Sequence, residues 1–398
     1  MSNIKIAQKV QSLQSSAIRE LLKHSKMEGV ISLGGGIPNP DLFDREGLQI
    51  AMDNVLTHSW KDAFQYGLSE GNPELRQLIC KLLLKRTIVC DVDDIVVTSG
   101  SQQSLDILAR ALINPGDVIV VEKPTYLAAL QIFQLAEANL AAVGTDADGM
   151  IVDELEQLVK KNAIKAVYIV PTFGNPGGVT LSDGRRKQLV ELSARYNFVI
   201  IEDDPYGEIN FTNQTFKPLK AYAQEMNNTE NVIYTSTFSK ILTPGARVGW
   251  VVLPDWLKKA VVNLKQATDL HTSALSQSLT YHYLQTGRLE TQIEIIRESY
   301  KQKCQTLSDQ LEKELGDHLT FHKPKGGMFL WAKFKYEMNT TEWLSKTLSH
   351  GVVYVPGEFF YCNQPDHSTL RMSYVTVSDE HLKEAVLRLK RSLNELSS

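Results

Sequence analysis

Short apolar runs alternate with helical patterns through the middle of the chain, between about residue 90 and residue 255. Most of these runs are almost continuously apolar and rich in β-branched residues, as expected for strands that helices cover on both faces. The runs lie at residues 95–98, 118–121, 166–170, 199–201, 232–234 and 248–252. The pattern predicts an α/β fold with a largely parallel central sheet.

The C-terminal part of the chain shows a different pattern. An apolar stripe at helical spacing over residues 293–315 indicates one long helix. Further strands are predicted at residues 329–331, 352–355 and 370–374. Ser378 then precedes a last helical stripe and is a suitable N-cap. We therefore expect a second, α+β module of roughly a hundred residues.

Composition and charge narrow the class of protein. The 398 residues are 43% hydrophobic, which is enough to bury cores of that size, and the formal net charge is -4. No basic stripe is present, which argues against nucleic acid as a partner. No run approaches the ~18 apolar residues of a membrane span. Four cysteines, scattered and without a CxxC pair, fit reduced thiols. We expect a cytoplasmic protein without a membrane partner.

The segment that leaves the first predicted strand is a candidate phosphate site. It runs through Ser99, Gly100, Ser101 and Gln102 into a helical pattern. The free amides and the positive dipole end at such a helix start can hold a phosphate. An ordinary strand-to-helix turn with a serine cap explains the same residues, so this segment alone does not define a function.

The strand at residues 199–201 ends in three consecutive carboxylates, Glu202, Asp203 and Asp204. Buried carboxylates are costly unless a cation or a metal ion pairs with them. Oxygen ligands suit magnesium or calcium, but the nine histidines show no ligand-like spacing near this cluster, and we expect no metal site. A solvated loop is the ordinary environment for any one of these acids.

A third strand end carries an amine. Lys240 lies among the small hydroxyl residues Thr237 and Ser239, and Arg247 follows seven positions later. Most lysines are solvated surface charges, so Lys240 alone means little. Because ligands of parallel sheets bind at the carboxyl ends of the strands, the three segments together describe a phosphate cradle, a carboxylate and an amine at neighbouring strand ends.

These motifs give the chain a clear resemblance to a known family. It resembles the class I/II aminotransferases, which are fold type I pyridoxal-phosphate enzymes, and within them the kynurenine/2-aminoadipate aminotransferase branch. The resemblance covers almost the whole chain and rests on the order and spacing of individually weak motifs. They lie at residues 31–40, 65–67, 71–76, 99–103, 174–178, 202–206, 235–250, 325–331 and 370–373.

The resemblance implies a PLP-dependent transferase fold type I. Its large domain would hold a mixed, mostly parallel seven-stranded sheet covered by helices, and a small α+β domain would follow. The implied bounds are 1–45 for an N-terminal segment that packs with the small domain and the active site, 46–288 for the large domain, and 289–398 for the small domain.

The resemblance also implies the catalytic residues. Lys240 would hold pyridoxal 5'-phosphate (PLP) as an imine and would then move the substrate's α proton as a base and an acid. Asp203 would keep the cofactor's ring nitrogen protonated. We choose Asp203 over Asp204 because the family's aspartate stands three residues before its tyrosine, here Tyr206. Asn175 and Tyr206 would donate hydrogen bonds to the cofactor's phenolic oxygen.

Further family positions would bind the rest of the cofactor. The phosphate group would be held by Ser101, Gln102, Thr237, Ser239 and Arg247. Tyr126 matches the aromatic residue that stacks on the pyridine ring. Tyr66 matches a residue that reaches the partner subunit's phosphate, so two shared sites would form in a homodimer.

Substrate residues follow from the same resemblance. Arg371 would take the substrate's α-carboxylate in a two-pronged hydrogen bond, beside Asn175, and Gly36 would line the same pocket. Arg19 lies in a stretch that, in members acting on acidic substrates, places an arginine near the substrate side chain. An exposed helical arginine is the alternative interpretation of Arg19.

The implied activity is transfer of an amino group between an L-amino acid and a 2-oxo acid such as 2-oxoglutarate. The donor class stays open between 2-aminoadipate, aromatic or kynurenine-like, and branched-chain types. A lyase or racemase on the same fold is an alternative, because each begins from the same imine. A non-catalytic PLP-binding regulator is another, but it needs a preceding DNA-binding segment, and Gly34 lies only about three dozen residues from Met1.

Overall fold

A computed structural model of the protein describes residues 6–11 and 27–396. A large sheet and a small sheet organise the chain. In chain order, the strands are β1 Ile31–Ser32, β2 Ile95–Thr98, β3 Val118–Lys123, β4 Asn139–Asp146, β5 Gly149–Met150, β6 Ala166–Ile169, β7 Val199–Asp203, β8 Val232–Thr237, β9 Gly249–Val252, β10 Leu319–Phe321, β11 Phe329–Phe334, β12 Val352–Val353, β13 Val355–Pro356 and β14 Thr369–Ser373.

The α-helices cover the large sheet and pack beside the small one. They are α1 Gln8–Gln11, α2 Arg45–Asn54, α3 Trp60–Ala63, α4 Pro73–Lys85, α5 Ser101–Leu112, α6 Leu127–Leu135, α7 Val152–Val159, α8 Asp183–Tyr196, α9 Leu219–Glu225, α10 Asp255–Thr268, α11 Ala274–Gln285, α12 Leu289–Leu315, α13 Thr340–Ser349 and α14 Asp379–Asn394. A short 3₁₀ turn, Phe238–Lys240, follows β8.

The large sheet has the order β2-β9-β8-β7-β6-β3-β4-β5. Strands β8, β7, β6, β3 and β4 pair in parallel, and β9 runs against both β8 and β2. The mixed, mostly parallel sheet of the sequence prediction is thereby confirmed. The two-residue strand β5 folds back on β4 and adds an eighth strand at that edge.

Both faces of the large sheet are buried, which explains the continuous apolar runs of its strands. On β6, Val167 and Ile169 pack into a core with α7, α8 and α9. Ala166 and Tyr168 point to the opposite face and pack into a core that includes residues of α5, α6 and α10. This arrangement leaves the carboxyl ends of the parallel strands at one edge, where the loops carry the charged residues.

The small sheet follows the long helix α12, whose predicted apolar stripe is buried from end to end. Its order is β10-β11-β14-β13, and all its pairings are antiparallel. The run predicted as one strand at residues 352–355 is two short strands, because β12 pairs with β1 whereas β13 pairs with β14. The side chain of Ser378 caps α14, as its position predicted. The implied domain bounds stay a prediction.

Two of the scattered cysteines meet in space. The Sγ atoms of Cys80, on α4, and Cys90, in the loop before β2, lie 3.8 Å apart, a contact that their spacing did not predict. All four cysteines are free thiols. Within residues 6–11 and 27–396, no helix combines the length and the hydropathy that a membrane crossing requires.

Candidate active site

A cavity opens at the carboxyl ends of β2, β6, β7 and β8. These strands run in the same direction, so the segments that leave them meet at one edge of the sheet. The cavity is lined by Ser101, Gln102, Tyr126, Val170, Asn175, Asp203, Pro205, Tyr206, Thr237, Ser239, Lys240, Pro244 and Arg247. Every predicted cofactor residue except Tyr66 is in this set.

Asp203, the last residue of β7, presents one unpaired oxygen in the site. Its Oδ2 atom accepts a hydrogen bond of 2.9 Å from the hydroxyl of Tyr168. Its Oδ1 atom is buried and has no partner among the described residues. Burial raises the pKa of Asp203 to about 7, Asp204 adds to the rise, and the hydroxyl of Tyr168 opposes it. This carboxylate therefore lacks a cationic partner on that side.

The flanking carboxylates have partners of their own, although Oδ1 of Asp204 also has none among the described residues. The expectation of a solvated loop is wrong for all three acids because each is buried. Glu202 accepts hydrogen bonds of 2.8 and 2.9 Å from two backbone amides at the start of α9. Asp204 forms an ion pair of 2.9 Å with Arg86 and accepts a hydrogen bond from Tyr234. The three adjacent acids thus have three separate environments.

Lys240 ends the 3₁₀ turn after β8 and lies inside the cavity. Its Nζ atom donates to the carbonyl oxygen of Gly36 at 3.2 Å. Burial and the positive charges of Arg247 and Arg371 together lower the pKa of Lys240 to about 8, while Asp203 opposes them. Near neutral pH, a larger fraction of this amine is therefore neutral, and hence nucleophilic, than of an ordinary lysine.

An anion-binding arrangement lies at the start of α5. Gly100 precedes this helix with φ +81°, and a Cβ atom there would lie 2.5 Å from Nη2 of Arg247. Arg247 donates to the carbonyl oxygen of Ser99 at 3.0 Å and to the hydroxyl of Ser239 at 3.4 Å. The hydroxyl of Thr237 is 2.9 Å from that of Ser239. A fixed cation, two hydroxyls and the first helix amides thus converge.

Arg371 of β14 extends from the small sheet to Asn175 in the cavity wall. Its Nη1 atom donates to Oδ1 of Asn175 and its Nη2 atom to the carbonyl oxygen of Gly34, both at 2.8 Å. The Nδ2 atom of Asn175 is 3.5 Å from the hydroxyl of Tyr206. The guanidinium lies 4.2 Å from the ring centre of Phe329, and burial lowers its pKa to about 10. The predicted substrate arginine is thus next to the predicted cofactor residues.

Gly36 occupies a tight position beside this arginine. A Cβ atom at Gly36 would lie 3.2 Å from Cζ of Phe329 and 4.0 Å from Nη2 of Arg371. Tyr126 donates from its hydroxyl to Gln102 at 3.4 Å, and burial raises its pKa to about 12. Tyr126 thus lies in the cavity wall and Gly36 beside Arg371, and their roles toward coenzyme and substrate stay predictions.

Two predicted residues are not brought into the cavity. The side chain of Tyr66 is exposed, at 79% of its full accessible surface, and contacts the ring of His271 edge-on at 5.9 Å. Its expected role toward a partner subunit therefore stays a prediction. Arg19 lies outside the described residues.

The sequence did not identify several buried residues that make hydrogen bonds to the site residues or to their neighbours. Lys265 is buried and donates to Oε1 of Gln103 at 3.0 Å, and that same oxygen accepts the backbone amide of Ser99 at 2.7 Å. Tyr168 and Arg86 hold the two aspartates in a comparable way. No sequence signal marks these residues, because a lysine in a helix and a tyrosine in a strand are ordinary occupants of those elements.

Comparisons with known proteins agree with this geometry. A family model described as aminotransferase class I and II matches residues 31–389. Aromatic-amino-acid aminotransferase 1 of Thermococcus litoralis is 40% identical over 98% of this chain and 94% of that protein. The 2-aminoadipate transaminase of Thermus thermophilus is 34% identical over 96% and 95%. The structure of Pyrococcus horikoshii kynurenine aminotransferase is 38% identical, with a TM-score of 0.94 over 99% of this chain and 98% of that one.

Proposed function

The chain belongs to the class I and II aminotransferase family and is a pyridoxal-phosphate-dependent aminotransferase; from that premise, we propose which residues hold the coenzyme and the substrate. The observation that carries the proposal is the buried Oδ1 atom of Asp203, which has no partner among the described residues. A protonated ring nitrogen supplies the missing donor and charge.

The other residues of the cavity fit the remaining parts of the coenzyme. The phosphate group suits the start of α5, where Ser101 and Gln102 lie together with Thr237, Ser239 and Arg247. Asn175 and Tyr206 can donate to the phenolic oxygen, and Tyr126 offers a ring face for stacking. The amine of Lys240 is placed in the same cavity for covalent attachment to the aldehyde carbon.

When bound, the coenzyme supplies an electron sink for the substrate's α carbon. Arg371 would hold the substrate's α-carboxylate, since its guanidinium is fixed, charged and placed beside the cavity. Lys240 would remove the proton from the substrate's α carbon through its neutral Nζ atom, and the lowered pKa favours that role. Because Gly36 has no side chain, the space beside Arg371 and Phe329 stays free for the substrate.

We infer that the donor is an aromatic or 2-aminoadipate-type L-amino acid and that 2-oxoglutarate is the acceptor. The similarity to proteins named for aromatic amino acids, 2-aminoadipate and kynurenine supports this class. The expected α-carboxylate clamp is common to all of these donors, so the donor's side chain must be distinguished by other parts of the pocket.

A single-turnover assay tests both the reaction and the donor class. The PLP-loaded protein is mixed with L-2-aminoadipate, L-kynurenine, L-phenylalanine or L-leucine, and the absorbance change to the pyridoxamine form is recorded. We expect conversion by the first three donors and its reversal by 2-oxoglutarate. Release of ammonia, or racemisation, without any pyridoxamine form would contradict the assignment.

We further propose a cytoplasmic homodimer with shared sites. Four large apolar side chains near the predicted shared residue are more than half exposed, which marks a surface for protein contact. They are Trp60, Phe64, Tyr66 and Leu68. The scattered cysteines support the location. Light scattering of the purified protein should give twice the chain mass of 44.7 kDa, and a monomer at micromolar concentration would refute the dimer.

A further inference from the structure

We propose that Tyr168 is a positioning residue for the coenzyme: its hydroxyl holds one oxygen of Asp203 so that the other stays an anion aimed at the ring nitrogen. This inference rests on the function proposed above. Tyr168 does not line the cavity, so it would act through Asp203 and not by touching coenzyme or substrate. No motif in the sequence singles out this residue.

The placement of Tyr168 is fixed by the large sheet. It lies on β6 and pairs with Ile201 of β7. Ile201 precedes Asp203, the last residue of β7, by two positions. Its side chain is fully buried, and the ring of Phe133 packs edge-on against it at 5.5 Å. Its hydroxyl is 2.9 Å from Oδ2 of Asp203. Because burial, with the charge of Asp203, raises the pKa of Tyr168 well above its ordinary value, the hydroxyl is the donor of this bond.

The carboxylate needs this donor because its surroundings favour the neutral acid. The titratable groups around Asp203 are the carboxyl of Asp204, the amine of Lys240, and the hydroxyls of Tyr126, Tyr168 and Tyr206. Burial raises the pKa of Asp203 to about 7, and the bond from Tyr168 is the largest influence that opposes the rise. Without that bond, a larger fraction of Asp203 would carry a proton and could not balance a positive ring nitrogen.

Strand β8, on the other side of β7, provides a matched control for Tyr168. Tyr234 of β8 is also fully buried and donates to Oδ2 of Asp204 at 3.1 Å. Asp204, however, pairs with Arg86 and does not line the coenzyme cavity. Tyr168→Phe and Tyr234→Phe therefore remove the same atom from the two strands that flank β7, but only the first affects the carboxylate proposed to face the ring nitrogen.

The experiment measures coenzyme affinity with two ligands. Apoprotein prepared from the loaded enzyme is titrated with PLP and with its deaza analogue, in which carbon replaces the ring nitrogen. We expect Tyr168→Phe to weaken PLP binding roughly tenfold to a hundredfold, as loss of one charged hydrogen bond implies, and to leave binding of the analogue unchanged. Tyr234→Phe should leave the ratio of the two affinities at its wild-type value.

Equal weakening for both ligands in Tyr168→Phe would mean a structural role only, and no weakening would mean no role; either result overturns the proposal. Phe133→Leu keeps the hydroxyl but removes the ring that packs against it, so it should give a smaller, PLP-selective loss even where Tyr168→Phe folds poorly. A ¹⁵N shift of the bound ring nitrogen toward the unprotonated form in Tyr168→Phe is the second expected signature. If the wild-type protein itself fails to bind PLP, the proposed function fails and this inference falls with it, whereas a wild type that binds PLP with an unaltered Tyr168→Phe overturns this inference alone.

Discussion

Replacing Arg371 by lysine tests the proposed substrate clamp. In the structure, the guanidinium reaches Asn175 and Gly34 through separate nitrogens, each at 2.8 Å. A lysine amine is a compact point charge and cannot span both directions while it holds a carboxylate in two-pronged fashion. The substitution keeps the charge and removes the geometry, so the expected loss concerns binding of the α-carboxylate.

The magnitude follows from the number of hydrogen bonds lost. A hydrogen bond to a charged group contributes about 1.5–3 kcal/mol, and each 1.36 kcal/mol corresponds to roughly a factor of ten. Loss of one prong should therefore lower kcat/KM for the amino-acid half-reaction by roughly 10- to 150-fold. The saturating rate should fall much less, because Lys240 and Asp203 keep their positions.

Stopped-flow absorbance over a range of donor concentrations separates these two quantities. Arg288→Lys is the matched control, because the Arg288 guanidinium also donates through separate nitrogens, to Asp44 and Glu46, but these partners do not line the cavity as Asn175 does. We expect wild-type kcat/KM for the control. The clamp assignment is refuted if Arg371→Lys changes kcat/KM by less than about threefold, or if the whole loss appears in the saturating rate.

Three further predictions concern single groups. Lys240→Ala should still bind PLP weakly but form no borohydride-reducible link to the protein, and a covalent adduct found by mass spectrometry would move the anchor elsewhere. The pKa of Lys240 is lowered to about 8. The rate of covalent PLP capture by the apoprotein, measured by stopped flow, should therefore increase as pH rises to about 8 and then level off. A rate that keeps increasing toward pH 10.5 would contradict the lowered pKa. Burial raises the pKa of Glu122 from 4.5 to about 8. Between these two pH values the folded protein keeps a proton on Glu122 that the unfolded chain has released, so the stability of the folded protein falls as pH rises from 4.5 to about 8. Glu122→Gln keeps an acceptor for the amide of Val170 and cannot ionise, so its melting temperature should exceed the wild-type value by a growing margin from pH 5 to pH 8.5, and a constant margin would refute this reading.

The sequence predicted the parts of the fold that are encoded locally. Strands such as β6 are apolar on both faces and were found at nearly their observed bounds. Strand β4 was missed because it lies near the sheet edge, is only partly buried, and contains alanine, glycine and asparagine, which are not typical of a buried strand. The split between β12 and β13 depends on which strand each one pairs with, and no local pattern contains that information.

The same limit applies to the site. Spacing within the family separated Asp203 from Asp204, but the physical difference between them comes from Arg86 and Tyr168, which lie far away in the sequence. Local chemistry suggested a solvated loop, and burial reversed that expectation. Arg371 was predicted from its motif alone, while its contact with Gly34 joins residues 337 positions apart.

That contact means that the site is complete only when distant parts of the chain have come together. The carboxylate, the amine and the helix start come from the large sheet, whereas the guanidinium arrives from the small sheet and rests on a carbonyl near the beginning of the chain. A chain with only the large sheet in place would still lack a finished substrate pocket. A ligand that contacts all these parts binds only the fully folded protein. Its binding therefore stabilises the fully folded state over partly folded ones.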